Sequence, residues 1–257
     1  MNRAGWDDYI RTFHEQRPGI TEAVLARCSR DGHTPYEWLV EGLDTRDPVV
    51  DVACGSGPTR HAGGPGWVGI DASERELRAA GLAATGRAAC GDARSLPLRT
   101  GAAAHIVCSM ALMLIDPVAD ALREIRRVLD PRGTLRVLLP STAGLTLNDR
   151  RRYTALAVRL RSPTMWPPSP LHHRARKELE SVGFTLVADH HARFTYPIHS
   201  ADDARLLLQS LYLPGVDPAR VERSAGALWP GHSTEIAIGL RRTLAIGDQP
   251  REPPQAG

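Results

Sequence analysis

Val49-Val50-Asp51-Val52-Ala53-Cys54-Gly55-Ser56-Gly57, followed by Trp67-Val68-Gly69-Ile70-Asp71, is the stretch that decides the fold. Small and β-branched apolar residues around one acid describe a strand buried on both faces, and the run breaks at once into a glycine turn. A backbone so bare can approach a ligand closely, which marks a nucleotide-type site at a strand end. Asp71 closes the next apolar run, where an open α/β sheet places a carboxylate to accept hydrogen bonds from ribose hydroxyls.

Working outward, strands are expected at residues 49–53, 67–70, 87–90, 105–109, 134–139, 184–188 and 235–240, alternating with helical periodicity. That alternation predicts an α/β fold: a seven-stranded Rossmann-like sheet with helices on both faces. Ahead of it, residues 6–15, 21–28 and 35–43 read as helices, broken at Pro18-Gly19, and form a helical N-terminal cap over residues 1–45. The clearest helix has Asp116-Pro117 as its cap, Val118, Leu122, Ile125 and Leu129 on one face, and Asp130-Pro131-Arg132-Gly133 as its stop. The main domain covers residues 46–245, with insertions at about 141–171 and 193–232. Helices at 171–182, 201–213 and 218–228 are expected there, the last two within an insertion that reads as a lid or substrate wall. Residues 246–257, rich in proline, read as a disordered tail.

The chain has 257 residues, 42% hydrophobic and 24% charged, which suits one soluble domain with insertions. Its net charge of +3 is weak evidence for a polyanionic partner, because the basic residues are nearly all arginine, with Lys177 the only lysine. Arg150-Arg151-Arg152, the only basic cluster, reads as a solvated helix start. No apolar run reaches a membrane span, and the start lacks a signal-peptide core, so a cytoplasmic protein is expected. Cys28, Cys54, Cys90 and Cys108 lack CxxC spacing and read as reduced thiols, with no metal.

A glycine turn after the first strand serves either a dinucleotide or S-adenosyl-L-methionine. The dinucleotide pattern GxGxxG wants a third glycine at position 60, where this chain has Arg60. S-adenosylmethionine has no pyrophosphate, so it needs less helix dipole and more carboxylate. Further along stand Cys90-Gly91-Asp92-Ala93-Arg94-Ser95-Leu96-Pro97-Leu98, then Ile106-Val107-Cys108-Ser109-Met110-Ala111-Leu112, then residues 116–135. In that order these elements resemble the class I S-adenosylmethionine-dependent methyltransferases, and in particular the small-molecule, ubiquinone-biosynthesis-like branch. The resemblance covers about residues 47–140.

The resemblance implies that Asp51, Ala53, Cys54, Gly55 and Gly57 cradle the methionine moiety and that Asp71 and Ala72 hold the ribose. It also implies that Asp92 and Ala93 frame the adenine and that Ser109 and Met110 line the floor beneath the methyl group. Two departures stand out. Ala53 replaces the usual first glycine, a change that calls for a negative φ, and Pro58-Thr59-Arg60-His61-Ala62 meets Gly63-Gly64-Pro65-Gly66 so early that the first helix is about a turn short. His14 is the preferred general base, on a helix that relatives lay over the cofactor. Arg17, Met113, Trp166, Tyr196 and Tyr212 are candidate acceptor contacts. The expected activity is methyl transfer to O or N of a small-molecule acceptor, plausibly in specialised metabolism, by a monomer or homodimer. A nucleic-acid partner is unfavoured, because no Asn/Asp-Pro-Pro-aromatic run follows the fourth strand. An RNA methyltransferase and a non-methylating protein that binds S-adenosylmethionine stay open as alternatives.

Overall fold

The structure, a computed structural model, describes residues 3–162 and 169–247. Its seven strands are β1 (Val49–Val52), β2 (Trp67–Asp71), β3 (Ala88–Cys90), β4 (Ala103–Ser109), β5 (Leu129–Pro140), β6 (Phe184–Ile198) and β7 (Thr234–Gly247). They pair in the order β3-β2-β1-β4-β5-β7-β6. Neighbours among β1 to β5 run parallel, and β7 lies antiparallel between β5 and β6. The chain builds outward from β1 to β3, then restarts on the other side with β4. The crevice at the carboxyl ends of β1 and β4 is therefore a topological switch point, where open α/β sheets bind ligands.

Strand alternation sorts the core. Val49, Val107 and Leu138 face one apolar layer, with Trp38 and Leu39 of α3 (Pro35–Val40) and Leu207 and Leu208 of α8 (Ala201–Gln209). Val50, Val52, Ile106 and Cys108 face the other, where α5 (Val118–Val128) buries Val118, Leu122, Ile125 and Val128. A third cluster holds α1 (Arg3–Gln16) to the body: Trp6, Phe13 and Ile20 pack with Tyr212. Short α2 (Ile20–Leu25) continues the N-terminal layer, burying Ile20, Val24 and Leu25. The remaining helices are α4 (Glu74–Ala79), α6 (Leu147–Leu160), α7 (Leu171–Glu180) and α9 (Pro218–Leu228).

Several expected boundaries move. The strand expected at 184–188 runs on to Ile198, because Ala192, Phe194, Tyr196 and Ile198 are buried at alternate positions against β7. The second insertion, expected from residue 193, therefore starts only after Ile198. Ile246 and Gly247, expected in the tail, pair with Thr134 and Phe184 in the sheet; residues 248–257 lie outside the described residues. Between β1 and β2 the chain forms only turns, so the shortened helix is missing altogether. The turns pack closely: a Cβ on Gly63 would sit 2.5 Å from the Trp67 ring. Pro117, not Asp116, takes the N-cap position of α5 and gives no side-chain cap. α6 arises within the first insertion from a capping box in which Thr146 and Asp149 satisfy each other's backbone N–H groups. Arg150, Arg151 and Arg152 lie exposed in its first turns.

Candidate functional site

A cavity of about 860 Å³ opens at the carboxyl ends of β1, β2 and β4. Asp51, Ala53, Cys54, Gly55, Asp71, Ala72, Asp92, Ala93, Ser109 and Met110 all line it, beneath His14 of α1 and Tyr212. The turn after β1 carries φ values of 58° at Ala53, 52° at Gly55 and 70° at Gly57. Ala53 thus overturns the expectation of a negative φ. It accepts the left-handed conformation, at a cost of about 1–2 kcal/mol, because the turn must aim the Gly55 N–H at Asp71. That N–H donates to Asp71 Oδ2 at 2.7 Å, and the Ser73 N–H donates to Oδ1 at 2.7 Å. Both carboxylate oxygens are held in place, and each keeps a lone pair for a ligand hydroxyl. Burial raises the Asp71 pKa, the two backbone N–H groups oppose the rise, and nearby Glu76 adds to it.

Asp51 is the most confined acid, 1% exposed. Its Oδ2 accepts from Thr59 Oγ1, and Thr59 in turn accepts from Trp67 Nε1 at 2.9 Å. Its Oδ1 is buried without a hydrogen-bond partner. Burial pushes the carboxyl up to about 7; the Thr59 hydrogen bond opposes the rise and the Asp71 charge adds to it. Ser109 Oγ, also on the cavity wall, is a second buried polar atom without a partner. Such atoms are costly to leave unmet, so both point to a polar ligand. An ammonium and sulfonium ligand suits this acid-lined turn, as S-adenosylmethionine would.

Other expected residues land differently. Asp92 stands at the rim with its carboxylate bound by Arg94 at 2.7 Å, both side chains about half exposed, and this pairing lowers its pKa. Gly57 faces away from the cavity. A Cβ there would lie 2.7 Å from Leu82 and 3.2 Å from Trp67, so the glycine is required by packing rather than by a ligand. Arg17 is not among the residues lining this cavity or the smaller one beside it; its guanidinium lies 4.8 Å from the centre of the Phe13 ring. Tyr196 is wholly buried in β6 and donates to the Asp203 carbonyl at 3.0 Å, because its place in the strand alternation turns it into the core. Trp166 lies outside the described residues. Cys54 lines the cavity with a thiol whose pKa burial pushes far up, and no group of three His, Cys, Asp or Glu among the described residues could hold a metal.

His14 is held at both ring nitrogens, Nδ1 against Glu76 Oε1 at 3.3 Å and Nε2 against the Tyr212 hydroxyl at 2.9 Å. Because a carboxylate only accepts, the consistent assignment puts the proton on Nδ1 and makes Nε2 the acceptor of the Tyr212 hydrogen bond. The other oxygen of Glu76 accepts from the Gly19 N–H at 2.7 Å, tying α4 to the junction of α1 and α2. Sequence reasoning missed Glu76, an acid in the first turn of α4. It also missed Thr59, which sits in a turn without periodicity. Nothing local to either residue announces its partner.

A second cavity of about 350 Å³ adjoins the first. Thr21, Met110 and Tyr212 line both. Met113 lines the smaller one, with side chains from β7, α6 and α8.

Residues 50–137 match the family model described as a methyltransferase domain. No curated protein matches the chain. Among solved structures, the YcgJ protein of Bacillus subtilis aligns at 17% identity over 84% of this chain and 98% of its own, with a TM-score of 0.56. A putative methyltransferase of Bacillus halodurans aligns at 20% identity over 81% and 96%, with a TM-score of 0.52. SpnF, a (4+2)-cyclase, aligns at 19% identity over 94% and 96%, with a TM-score of 0.56. These likenesses are of fold. Together with the strand order, the matched model marks residues 50–137 as a methyltransferase domain in a class I fold, a domain whose cofactor is S-adenosylmethionine.

Proposed function

We propose that the protein transfers a methyl group from S-adenosylmethionine to O or N of a small-molecule acceptor, as a tailoring step in specialised metabolism. The observation that carries this reading is the pair of adjoining cavities with Thr21, Met110 and Tyr212 as their common wall. The larger holds the cofactor: Asp51 meets its ammonium group, Asp71 its ribose hydroxyls, and Ala93 with the Asp92 backbone its adenine. Residues 1–45 act as a cap, since α1 and the Pro18-Gly19 junction close over this cavity through His14 and Glu76. The cofactor supplies an electrophilic methyl group on a sulfonium that leaves as a neutral thioether. The protein's part is to align the nucleophile with that methyl group.

For a hydroxyl acceptor, Tyr212 takes the acceptor's proton while passing its own to His14 Nε2, and Glu76 holds the resulting imidazolium. Replacing Tyr212 by Phe keeps the ring packed on Phe13 but breaks this relay, lowering kcat by about 10²-fold with little change in KM. An unchanged kcat removes Tyr212 from the relay.

Release of S-adenosylhomocysteine together with a one-methyl mass gain in the acceptor is the direct test. An RNA acceptor is the weaker reading, because acidic side chains such as Asp7, Glu15 and Glu74 stand among the arginines lining the larger cavity, leaving no basic tract. The likeness to the cyclase SpnF keeps a non-methylating reading in play. There, product forms without a mass gain and without S-adenosylhomocysteine. We further propose a cytoplasmic monomer or homodimer; among the described residues no helix is long and apolar enough to cross a membrane.

A further inference from the structure

The smaller cavity differs in chemistry from the larger one. Among the described residues no charged side chain lines it, whereas acids and arginines crowd the cofactor side. Many of its wall side chains are aliphatic or thioether, such as Val24, Leu25, Met113, Leu207 and Ile238, and four of its hydroxyls are held by internal partners. Tyr153 donates to the Ala237 carbonyl at 2.6 Å, Thr154 to the Arg150 carbonyl at 3.0 Å and Ser210 to the Leu207 carbonyl at 2.8 Å. Ser141 Oγ is hydrogen-bonded to His191 Nδ1 at 2.8 Å.

The geometry points to a specific acceptor class: an uncharged, largely apolar molecule of fused-ring size, seated in this cavity with its nucleophilic atom at the Tyr212 and Met110 wall. A carboxylate, phosphate or ammonium there would lose its hydration and meet no opposite charge, a cost no contact on these walls offsets. A neutral apolar body instead gains from leaving water, and pockets of this volume bury most of such a molecule. The polar side chains shared with the cofactor side are Thr21 and Tyr212, and the Tyr212 hydroxyl, hydrogen-bonded to His14, suits one hydroxyl or amine at the molecule's inner end. The inference rests on the methyl-transfer reading, since that reading makes the cavity beside the cofactor the acceptor's place.

The test is equilibrium binding of three naphthalene probes to the full chain saturated with S-adenosylhomocysteine. The probes are neutral 2-naphthol, anionic 2-naphthalenesulfonate and cationic 2-naphthylmethylammonium. 2-Naphthol is expected to bind at least about tenfold more tightly than either ion. Ala157→Trp, which fills the cavity from α6, is expected to weaken 2-naphthol by at least about tenfold. Leu211→Arg is expected to reverse the preference toward the sulfonate. Retained binding of S-adenosylhomocysteine, within about twofold of the parent, reports that each variant is folded. An ion that matches 2-naphthol in the parent, or 2-naphthol binding unmoved by both variants, overturns the acceptor class while leaving methyl transfer intact. A parent that fails to bind S-adenosylhomocysteine overturns the methyl-transfer reading and this inference with it.

Discussion

Asp51→Asn tests the site at its most loaded residue. In the protein the carboxyl is pushed from its ordinary 3.8 to about 7 by burial, with Asp71 adding to the rise and Thr59 opposing it. The folded-state pKa is raised, so the folded chain holds this proton more tightly than the unfolded chain. Stability from this group is fully present below about pH 4, falls as pH rises, and is lost above about pH 7. A shift of about three units at 1.36 kcal/mol each gives a cost of about 4 kcal/mol when the carboxylate is charged. Roughly 3 kcal/mol of this develops between pH 5 and pH 8.5. Asparagine carries no charge yet keeps an oxygen for the Thr59 hydroxyl, so the variant escapes the cost. Urea unfolding of the ligand-free protein should show the variant gaining roughly 3 kcal/mol on the parent between those two pH values. Cofactor binding should move the other way, because Oδ1 loses the charge proposed to meet the ligand's ammonium group. Calorimetry should find affinity weaker by about 1.5–3 kcal/mol. A stability difference that is flat with pH refutes the account of a strained buried acid. Unchanged affinity refutes its role in the site.

Three further outcomes follow from the same geometry, beside the Tyr212→Phe effect on kcat. Asp71→Ala should weaken S-adenosylmethionine binding by about 1.5–3 kcal/mol in calorimetry, as it removes the proposed ribose acceptor and frees the Gly55 and Ser73 N–H groups. Gly57→Ala should cost about 3 kcal/mol in urea unfolding, from a left-handed φ and a Cβ pressed on Leu82; a loss under about 1 kcal/mol would show that the packing yields. Ala53→Gly should change stability by less than about 1 kcal/mol, because relief of the left-handed strain is offset by the greater freedom of unfolded glycine.

Much of the fold was legible because burial on both faces writes itself into consecutive apolar residues. Val49 to Val52 and residues 105–109 could be read as parallel strands, and Asp51, Asp71 and Ser109 line one cavity as expected, since strand termini at a switch point converge whatever the loops do. Less legible was anything that depended on packing between distant segments. Gly57 carries the same symbol as Gly55, yet one lines the cavity and the other makes room for Leu82 and Trp67. The φ of Ala53 was misjudged because the need of Gly55 to reach Asp71 is not visible in the residue itself. Tyr196 and Tyr212 looked equivalent as pocket walls. Strand alternation against β7 buried the first, while the loop after α8 brought the second onto α1.

By itself, then, the sequence determined the strand order's chemistry: an α/β sheet, a glycine turn flanked by Asp51 and Asp71, and a cofactor with more need of carboxylates than of a helix dipole. Those features are local, set by alternation, turn geometry and charge within a few residues. Only the tertiary structure decided that His14 is held between Glu76 and Tyr212, that Asp51 is stripped of water, and that an uncharged cavity adjoins an acidic one. Each of these joins segments far apart in the chain, and their contacts depend on how whole layers pack, which no local pattern encodes.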